Sequence, residues 1–569
     1  MMMPQKYLEG YENRKLLHYN DIKNEESKLI SFKELENTYS DGLLKYLGYV
    51  DGELKMLYTD KPHHAAVIAG TRMGKTTSII MGNILTAIRQ RIKKSMLITD
   101  PKGEVYSLTK EKLEKEGYRV ILYNLRDPAH TSYWNPLTDI FRKYTDMQKK
   151  LEDAIDIEDE YGNTYVFDGK VYENREDYED VKEVYESDQM KYIDDAINEF
   201  VCSIIQVKGK DPFWDLSAQE VVKAILWAML EDSNEKTKND NCEVDFPLVT
   251  EETFSPDTML KIFSCLYGTK DGLEDYGYFK KRSRDSKARQ LAVPTIINQA
   301  DTTRQCILSS VNAGITDFNS TNVRAFTSHN SIEISEIVEK PTALFITYKD
   351  ETASSYEVIS MIIQYIYKEL VDIATKKQGS LDTPFYFFLD EFGNFPKIEN
   401  FEKEISASAG RNIFFVLAIQ SYAQLNRVYG NDVAEIILDN LNLKYFLGSN
   451  HTETIRNFSD SCGQYTRISP VSALNGNNAQ IEHYTIETVS LVPKSVLCSI
   501  EPGETIITEA NAKYVMWSMI NRYYMCPELN DINKASISEY QDANPTTRKH
   551  VYKFKKKPHK KSSFFDDWD

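Results

Sequence analysis

Residues 67–77 read Val67-Ile-Ala-Gly-Thr-Arg-Met-Gly-Lys-Thr-Thr77. Gly74-Lys75-Thr76 stands between two apolar stretches. His64 to Ala69 reads as a buried strand, and Thr77 to Ile92 has the periodicity of a helix. Strand, tight glycine loop and helix form the setting that a phosphate-binding loop requires. Backbone N–H groups converge on phosphate there, and the helix N-terminus adds partial positive charge. Gly70, Thr71, Arg72, Met73, Gly74, Lys75, Thr76 and Thr77 are therefore the expected nucleotide cradle, and ATP with Mg²⁺ the expected ligand. Lys75 is expected to reach the β- and γ-phosphates and the Thr76 hydroxyl to ligate Mg²⁺. The spacing departs from the usual loop at one place. The residue five before Gly74 is Ala69 rather than glycine, which is tolerable where φ is negative.

About 300 residues later, Pro384-Phe-Tyr-Phe-Phe-Leu-Asp-Glu-Phe392 is an apolar strand ending in two acids. Carboxylates at the C-terminal end of a buried strand sit where open α/β sheets bind ligands. Asp390 is expected to hold Mg²⁺, directly or through water, and Glu391 to polarise the attacking water. A third strand, Asn412 to Ser421, ends in Gln420, whose amide can bond the γ-phosphate or the attacking water. Arg411, just before that strand, is the candidate arginine finger for a neighbouring subunit's site.

The 569 residues carry 41% hydrophobic and 27% charged side chains, ordinary for a globular protein of two or three domains. No apolar run approaches the roughly 18–20 residues needed to span a bilayer, and the N-terminus lacks the apolar core of a secretory signal. The expectation is a cytoplasmic protein recruited to the inner face of the cell membrane. Membrane helices upstream of this sequence remain the open alternative. Seven scattered cysteines without a Cys-x-x-Cys pair exclude a disulfide framework or zinc site and fit a reducing cytosol. Net charge is −18, but residues 151–200 hold 18 Asp/Glu against four Lys/Arg, a net of −14 that leaves −4 for the rest. Overall acidity excludes nonspecific duplex binding over the whole surface.

The pattern divides the chain into six segments. Residues 1–45 read as a peripheral arm with a weak helical pattern. Residues 46–150 open a nucleotide-binding domain, with strands near 64–69, 95–99 and 119–123 and helices near 76–92 and 104–116; this alternation implies parallel βαβ units. Residues 151–184 form an acidic insertion in which Asp168-Gly169 signals a type I′ hairpin turn. Residues 185–335 are mainly helical. Leu216, Val221, Val222, Ile225, Leu226 and Met229 recur at amphipathic spacing there, and Lys280–Arg284 with Arg289 forms a basic cluster beside Tyr278 and Phe279, suited to phosphate contact and base stacking. Residues 336–520 resume the nucleotide-binding domain with strands near 342–348, 384–390, 412–419, 443–448 and 504–509. Beyond 521 the pattern weakens into a tail with eight Lys/Arg between Arg548 and Lys561, a candidate contact for DNA or an anionic membrane surface.

Several further motifs stand in order. They are Leu97-Ile-Thr-Asp-Pro-Lys-Gly-Glu104, Trp134-Asn-Pro-Leu137, Asp211-Pro-Phe-Trp214, Leu389-Asp-Glu-Phe392 with Pro396, Ala418-Ile-Gln-Ser421, Leu438-Asp-Asn440 and Thr452-Glu-Thr454. Together with the phosphate loop the set resembles the type IV secretion coupling proteins, the TraG/TraD/VirD-type ATPases of conjugation, over residues 60 to 510. The resemblance implies an α/β, RecA-like P-loop NTPase domain with a mostly α-helical insertion domain. It also implies a homo-hexameric ring that uses ATP to drive a relaxase-bound single DNA strand toward a membrane-embedded type IV secretion channel. The helical domain is then expected to meet DNA and relaxosome proteins. Most members begin with membrane helices, which this sequence does not show. Two other readings compete: a nucleotide-dependent docking adaptor for relaxase or protein effector with little turnover, and an FtsK-like double-strand DNA translocase. The latter lacks the Asp-Pro-Lys-Gly-Glu and Asp-Glu-Phe pattern.

Overall fold

The computed structural model describes residues 28–30, 42–50, 52–159, 162–207, 211–234, 244–245, 248–267, 277–349, 354–475, 478–512, 514–530, 533–542 and 555–556. It divides into two compact units: Met1–Asn124 with Glu333–Thr352 and Ile363–Tyr540, and Leu125–Ile332 with Ala353–Ile362 and Gln541–Asp569.

The first unit is built on a ten-stranded sheet. In chain order its strands are β1 Lys28–Ile30, β2 Ala65–Ala69, β3 Ser95–Thr99, β4 Arg119–Asn124, β5 Thr342–Thr347, β6 Phe385–Leu389, β7 Ile413–Ile419, β8 Leu443–Gly448, β9 Glu504–Glu509 and β10 Tyr514–Met519. Across the sheet they run β1-β10-β9-β8-β2-β7-β6-β3-β5-β4. The seven strands from β8 to β4 are mutually parallel, β9 and β10 extend the sheet antiparallel, and β1 pairs parallel to β10.

Parallel strands are stable only with both faces covered. Here β2, β3, β6 and β7 are buried at every position, which is why β2, β6 and β7 read as unbroken apolar runs and β3 carries polar residues only at its two ends. One face packs Val67, Ile98, Phe388 and Val416 against the helical stretch after β2 and the hairpin Leu44–Val50/Glu53–Tyr58. On the other, Phe415 meets Phe401 and Tyr367 at ring-centroid distances of 5.2 and 5.9 Å.

Strand positions follow the sequence closely, but the flanks do not. The segment read as a peripheral arm contributes β1 and the start of the hairpin, with Leu43 and Leu44 fully buried. Past residue 521, Cys526, Leu529 and Tyr540 also belong to the core. The hairpin is tied to β9 by a buried ionic cluster: Lys45 Nζ lies 2.5 Å from Glu509 Oε2, and His63 Nε2 lies 3.1 Å from Oε1. Burial opposes ionisation of Glu509, but the close approach of His63 and the hydrogen bond from the Lys45 ammonium outweigh it and hold the carboxyl at about 2.

The second unit contains helices Thr138–Glu152, Arg175–Ile204, Phe213–Glu231, Pro256–Tyr267 and Asp301–Gly314. Asn135 of the Asn-Pro-Leu motif is buried and organises it: its amide donates to Phe254 O at 2.7 Å and its Oδ1 accepts from Leu137 N at 3.1 Å. The acidic segment forms strands Ile155–Asp159, Gly162–Phe167 and Lys170–Tyr172. The turn at Asp168 and Gly169 has φ of 49° and 76°, the two positive values a type I′ turn needs. Val221, Val222, Ile225, Leu226 and Met229 are buried as their spacing implies, whereas Leu216 is exposed. The basic–aromatic cluster is not a stacking surface. Tyr278 and Phe279 are fully buried, and Arg282 is buried in ion pairs with Asp232 at 2.8 Å and Glu231 at 3.0 Å. These cation and ring patterns look the same in sequence whether they face solvent or a buried acid pair. Most of the lysine-rich tail lies outside the described residues; Lys555–Lys556 pairs antiparallel with Val244–Asp245.

Replacing Glu509 with Gln strands the Lys45 ammonium without its carboxylate. Because the Glu509 carboxyl is depressed from 4.5, its contribution is complete above that pH and is lost as pH falls toward 2. Thermal unfolding of Glu509→Gln is expected to show a loss of about 3 kcal/mol at pH 7. The gap to wild type should close as pH falls from 4.5 to 2.

Candidate functional site

β2 ends at Ala69, and the chain turns at once: Gly70 N donates to Gly448 O at 2.8 Å. Ala69 is extended strand, outside the left-handed positions, so the missing first glycine carries no backbone penalty. The loop's left-handed positions are Arg72, at φ 66°, and Gly74, at φ 101°. The helix that follows opens as a π turn over Lys75–Ile80 and continues as Met81–Ala87, ending five residues before the apolar pattern does. Such turns concentrate at functional sites.

The loop faces the ends of β6 and β7. Lys75 Nζ donates to Glu391 Oε1 at 2.6 Å and lies 4.0 Å from Asp390 Oδ1. The Thr76 hydroxyl donates to Asp390 Oδ2 at 2.5 Å. Gln420 Nε2 donates to Glu391 Oε2 at 3.1 Å. Residues about 315 positions apart thus form one bonded cluster. Arg411 is not part of it. It precedes β7 whereas Gln420 follows it, so a strand of roughly 20 Å separates them, and its guanidinium caps Ala407 O at 3.1 Å.

Burial pushes the Asp390 carboxyl upward against the pull of Lys75 and the Thr76 hydroxyl. Asp100, at the end of β3, is pushed up to about 7 by burial, with Asp390 adding to the shift and the Tyr106 N–H opposing it. Glu391 sits at φ 56°, a left-handed conformation that costs a non-glycine residue about 1 kcal/mol and that clusters at active sites. Among the described residues no group of three or more His, Cys, Asp or Glu side chains is fit to hold a metal. One carboxylate and one hydroxyl, both hard oxygen donors, match the sparse protein share of a Mg²⁺ whose other ligands are phosphate and water.

Further residues support the site, and of these Gln424, Gly393 and Arg522 carried no sequence signal. Gln424 Oε1 accepts from Gln420 N at 2.9 Å, and a Cβ on Gly393 would meet that same Oε1 at 2.5 Å. Thr454 Oγ1 accepts from Tyr422 N at 3.2 Å, which gives the Thr-Glu-Thr motif a role at the end of β7. Arg522 lies against the loop, with Nη2 3.4 Å from Arg72 O. In the Asp-Pro-Lys-Gly-Glu motif, Asp100 Oδ2 accepts from Tyr106 N at 2.8 Å and caps the helix Glu104–Lys115. Gly103 has φ 72°, and a Cβ there would stand 2.0 Å from Ile537 Cδ1. That closeness lets the 533–540 segment cross the motif, with Ala535 N bonded to Ser107 O at 2.8 Å.

A family model described as Type IV secretory system Conjugative DNA transfer matches residues 15–486. Protein VirD4 of Rhizobium rhizogenes is 22% identical over 416 residues, 71% of this chain and 50% of that protein. The chain thus spans about half the length of the curated relatives it matches. Among solved structures, plasmid coupling protein TrwB in complex with the non-hydrolysable ATP analogue ADPNP superposes with a TM-score of 0.52 at 13% identity, over 87% of this chain and 93% of that one. TrwB in complex with ADP and Mg²⁺ gives 0.50 at 13% identity, over 81% and 85%. The fold is that of a RecA-like P-loop NTPase with a helical domain.

Gly103→Ala combines a disfavoured φ with a clash, and is expected to destabilise the first unit by about 2–5 kcal/mol. Adding Ile537→Ala should remove the clash and recover part of the loss, read as partial recovery of the melting temperature.

Proposed function

The chain belongs to the Type IV secretory system Conjugative DNA transfer family, and we propose that it acts there as an ATP-driven coupling protein. What supports this reading is the convergence of Lys75, Thr76, Asp390, Glu391 and Gln420 at the carboxyl ends of neighbouring strands. That is the crevice where open α/β sheets hold ligands. TrwB, with the same fold, was solved with an ATP analogue and with ADP and Mg²⁺.

In this reading loop residues 70–77 hold the triphosphate, and Thr76 and Asp390 hold Mg²⁺. The cation, when bound, neutralises charge on the phosphate oxygens and orients them for in-line attack. Lys75 exchanges its Glu391 partner for phosphate. That exchange frees Glu391 to accept a proton from the attacking water. Gln420, bonded to Glu391, then senses whether that carboxylate is engaged and passes the change to β7. Arg411, remote from its own subunit's cluster, is left for a neighbour's site, so full activity needs assembly as a homo-hexamer. The cargo is a single DNA strand carrying its relaxase, delivered to a membrane-embedded secretion channel from the cytoplasmic side. Among the described residues no helix is long and apolar enough to cross a membrane.

The test is ATPase rate against protein concentration, with and without single-stranded DNA. The rate per subunit should rise with concentration and with single-stranded DNA. Partner binding with negligible turnover would favour a docking adaptor, and preference for duplex would favour a double-strand translocase. Lys75→Ala should weaken nucleotide binding about 100-fold. Glu391→Gln should bind nucleotide at least as tightly as wild type, since it frees Lys75, while turnover falls at least about 100-fold. Full ATPase activity in both variants would refute the site assignment. Mixing Arg411→Ala with Glu391→Gln subunits should restore part of the activity lost in each alone.

A further inference from the structure

The cluster described so far serves the β- and γ-phosphate end of a nucleotide. Beyond the loop backbone, it assigns no side chain to the α-phosphate and none to the base. The C-terminal segment supplies both kinds of group beside the same loop. Arg522 follows β10, and its Nε stands 3.7 Å from the position a Cβ on Gly74 would take, as does Thr77 Oγ1. The Arg522 Nε atom is buried and has no hydrogen-bond partner. Its other nitrogens bond Tyr524 OH at 2.7 Å and, at a long 3.4 Å, Arg72 O. No carboxylate pairs with Arg522 among the described residues, whereas Lys75, next to Gly74, is paired with Glu391. A buried unpaired guanidinium N–H is costly, and an anion bonded to it would remove that cost. Beside it, Tyr524 is 44% exposed and Met525 53% exposed, a large apolar pair at the rim of a phosphate loop.

We infer that Arg522 binds the α-phosphate of the nucleotide and that the ring of Tyr524 is the platform for its base. The inference rests on the nucleotide-site reading above and extends it to the residues that tell a nucleotide from bare polyphosphate. The α-phosphate is the assigned partner because Lys75, Asp390, Glu391 and Gln420 occupy the γ end. Arg522 instead adjoins Gly74 and Thr77, the latter one residue past the Mg²⁺-ligating Thr76. The Arg522–Tyr524 hydrogen bond couples the two contacts, so the ring is held where a base attached to that phosphate would lie.

Titration calorimetry with two probes, MgADP and magnesium tripolyphosphate, separates the roles. Arg522→Ala should weaken both about 10- to 100-fold, as expected for loss of a charge-assisted contact, with Arg522→Lys recovering part. Tyr524→Ala should weaken MgADP about fivefold or more and leave tripolyphosphate within twofold of wild type, whereas Tyr524→Phe should keep most of the MgADP affinity. Unchanged melting temperatures would show that the variants are folded. If Lys75→Ala loses affinity but folded Arg522→Ala stays within twofold of wild type for both probes, the inference is overturned and the nucleotide site stands. Equal losses for both probes in Tyr524→Ala overturn the base platform. If Lys75→Ala binds as wild type does, the nucleotide-site reading fails and takes this inference with it.

Discussion

Two side-chain hydrogen bonds, Lys75 to Glu391 and Thr76 to Asp390, close the site, and both depend on strand register. β2 and β6 do not touch; β7 lies between them, pairing Ile68 with Ile419 and Leu389 with Leu417. Side chains alternate across a strand, so a slip of one residue at either pairing would turn Asp390 or Gln420 to the opposite face. The register is held because both faces are buried. A slip would exchange Phe387 and Phe415 with Phe388 and Val416 between two buried faces that are packed against different partners. The cost of misplacing the core therefore secures the geometry of a few polar groups at its end.

The cluster is also electrostatically unfinished. Asp390 and Asp100 are both driven upward by burial, and Glu391 is kept in a left-handed backbone that its neighbours must enforce. Lys75 faces both Asp390 and Glu391, and Asp390 in turn raises Asp100, so the acids outnumber the cation paired with them. A divalent cation would reverse that balance and favour the ionised form of each acid. These strains lie at the carboxyl ends of β3 and β6 and not along the strands, which are buried throughout.

Much of this was legible in the sequence, for a physical reason. Parallel strands buried on both faces must be continuously hydrophobic, so Ser95–Thr99, Phe385–Leu389 and Ile413–Ile419 announce themselves, and the polar residue that ends each run is where the chain can carry chemistry. The loop glycine and lysine are equally local. What the sequence concealed was non-local. Tyr278, Phe279 and Arg282 have the composition of a nucleic-acid contact, yet Arg282 is consumed by Asp232 and Glu231, about fifty residues earlier in the chain. Arg522 has no motif around it, and only the fold brings it to Gly74. Leu44 and Leu47 sit in a segment too polar on average to look like core, because an edge hairpin buries only part of its surface.

The antiparallel additions to the sheet explain how residue 522 comes to the loop at all. β9 and β10 extend the sheet beyond β8, and the hairpin packs beside them. Ser518 Oγ donates to Lys45 O, Asn521 N donates to Leu47 O at 2.9 Å, and Ile520 N donates to Gly503 O at 2.8 Å. Asn521 is thus fixed from both sides one residue before Arg522. After it, Cys526 and Leu529 enter the core and Ile537 seals Gly103. The final strands and the segment behind them act as a clasp, whose anchor points Cys526 and Leu529 are buried and whose Arg522 lies against the phosphate loop. Hairpin and clasp hold each other, and the backbone bond of Asn521 to Leu47 fixes where Arg522 leaves the sheet. A contact determined by core packing on both sides is preorganised, and a preorganised cation can bind an anion without first being ordered.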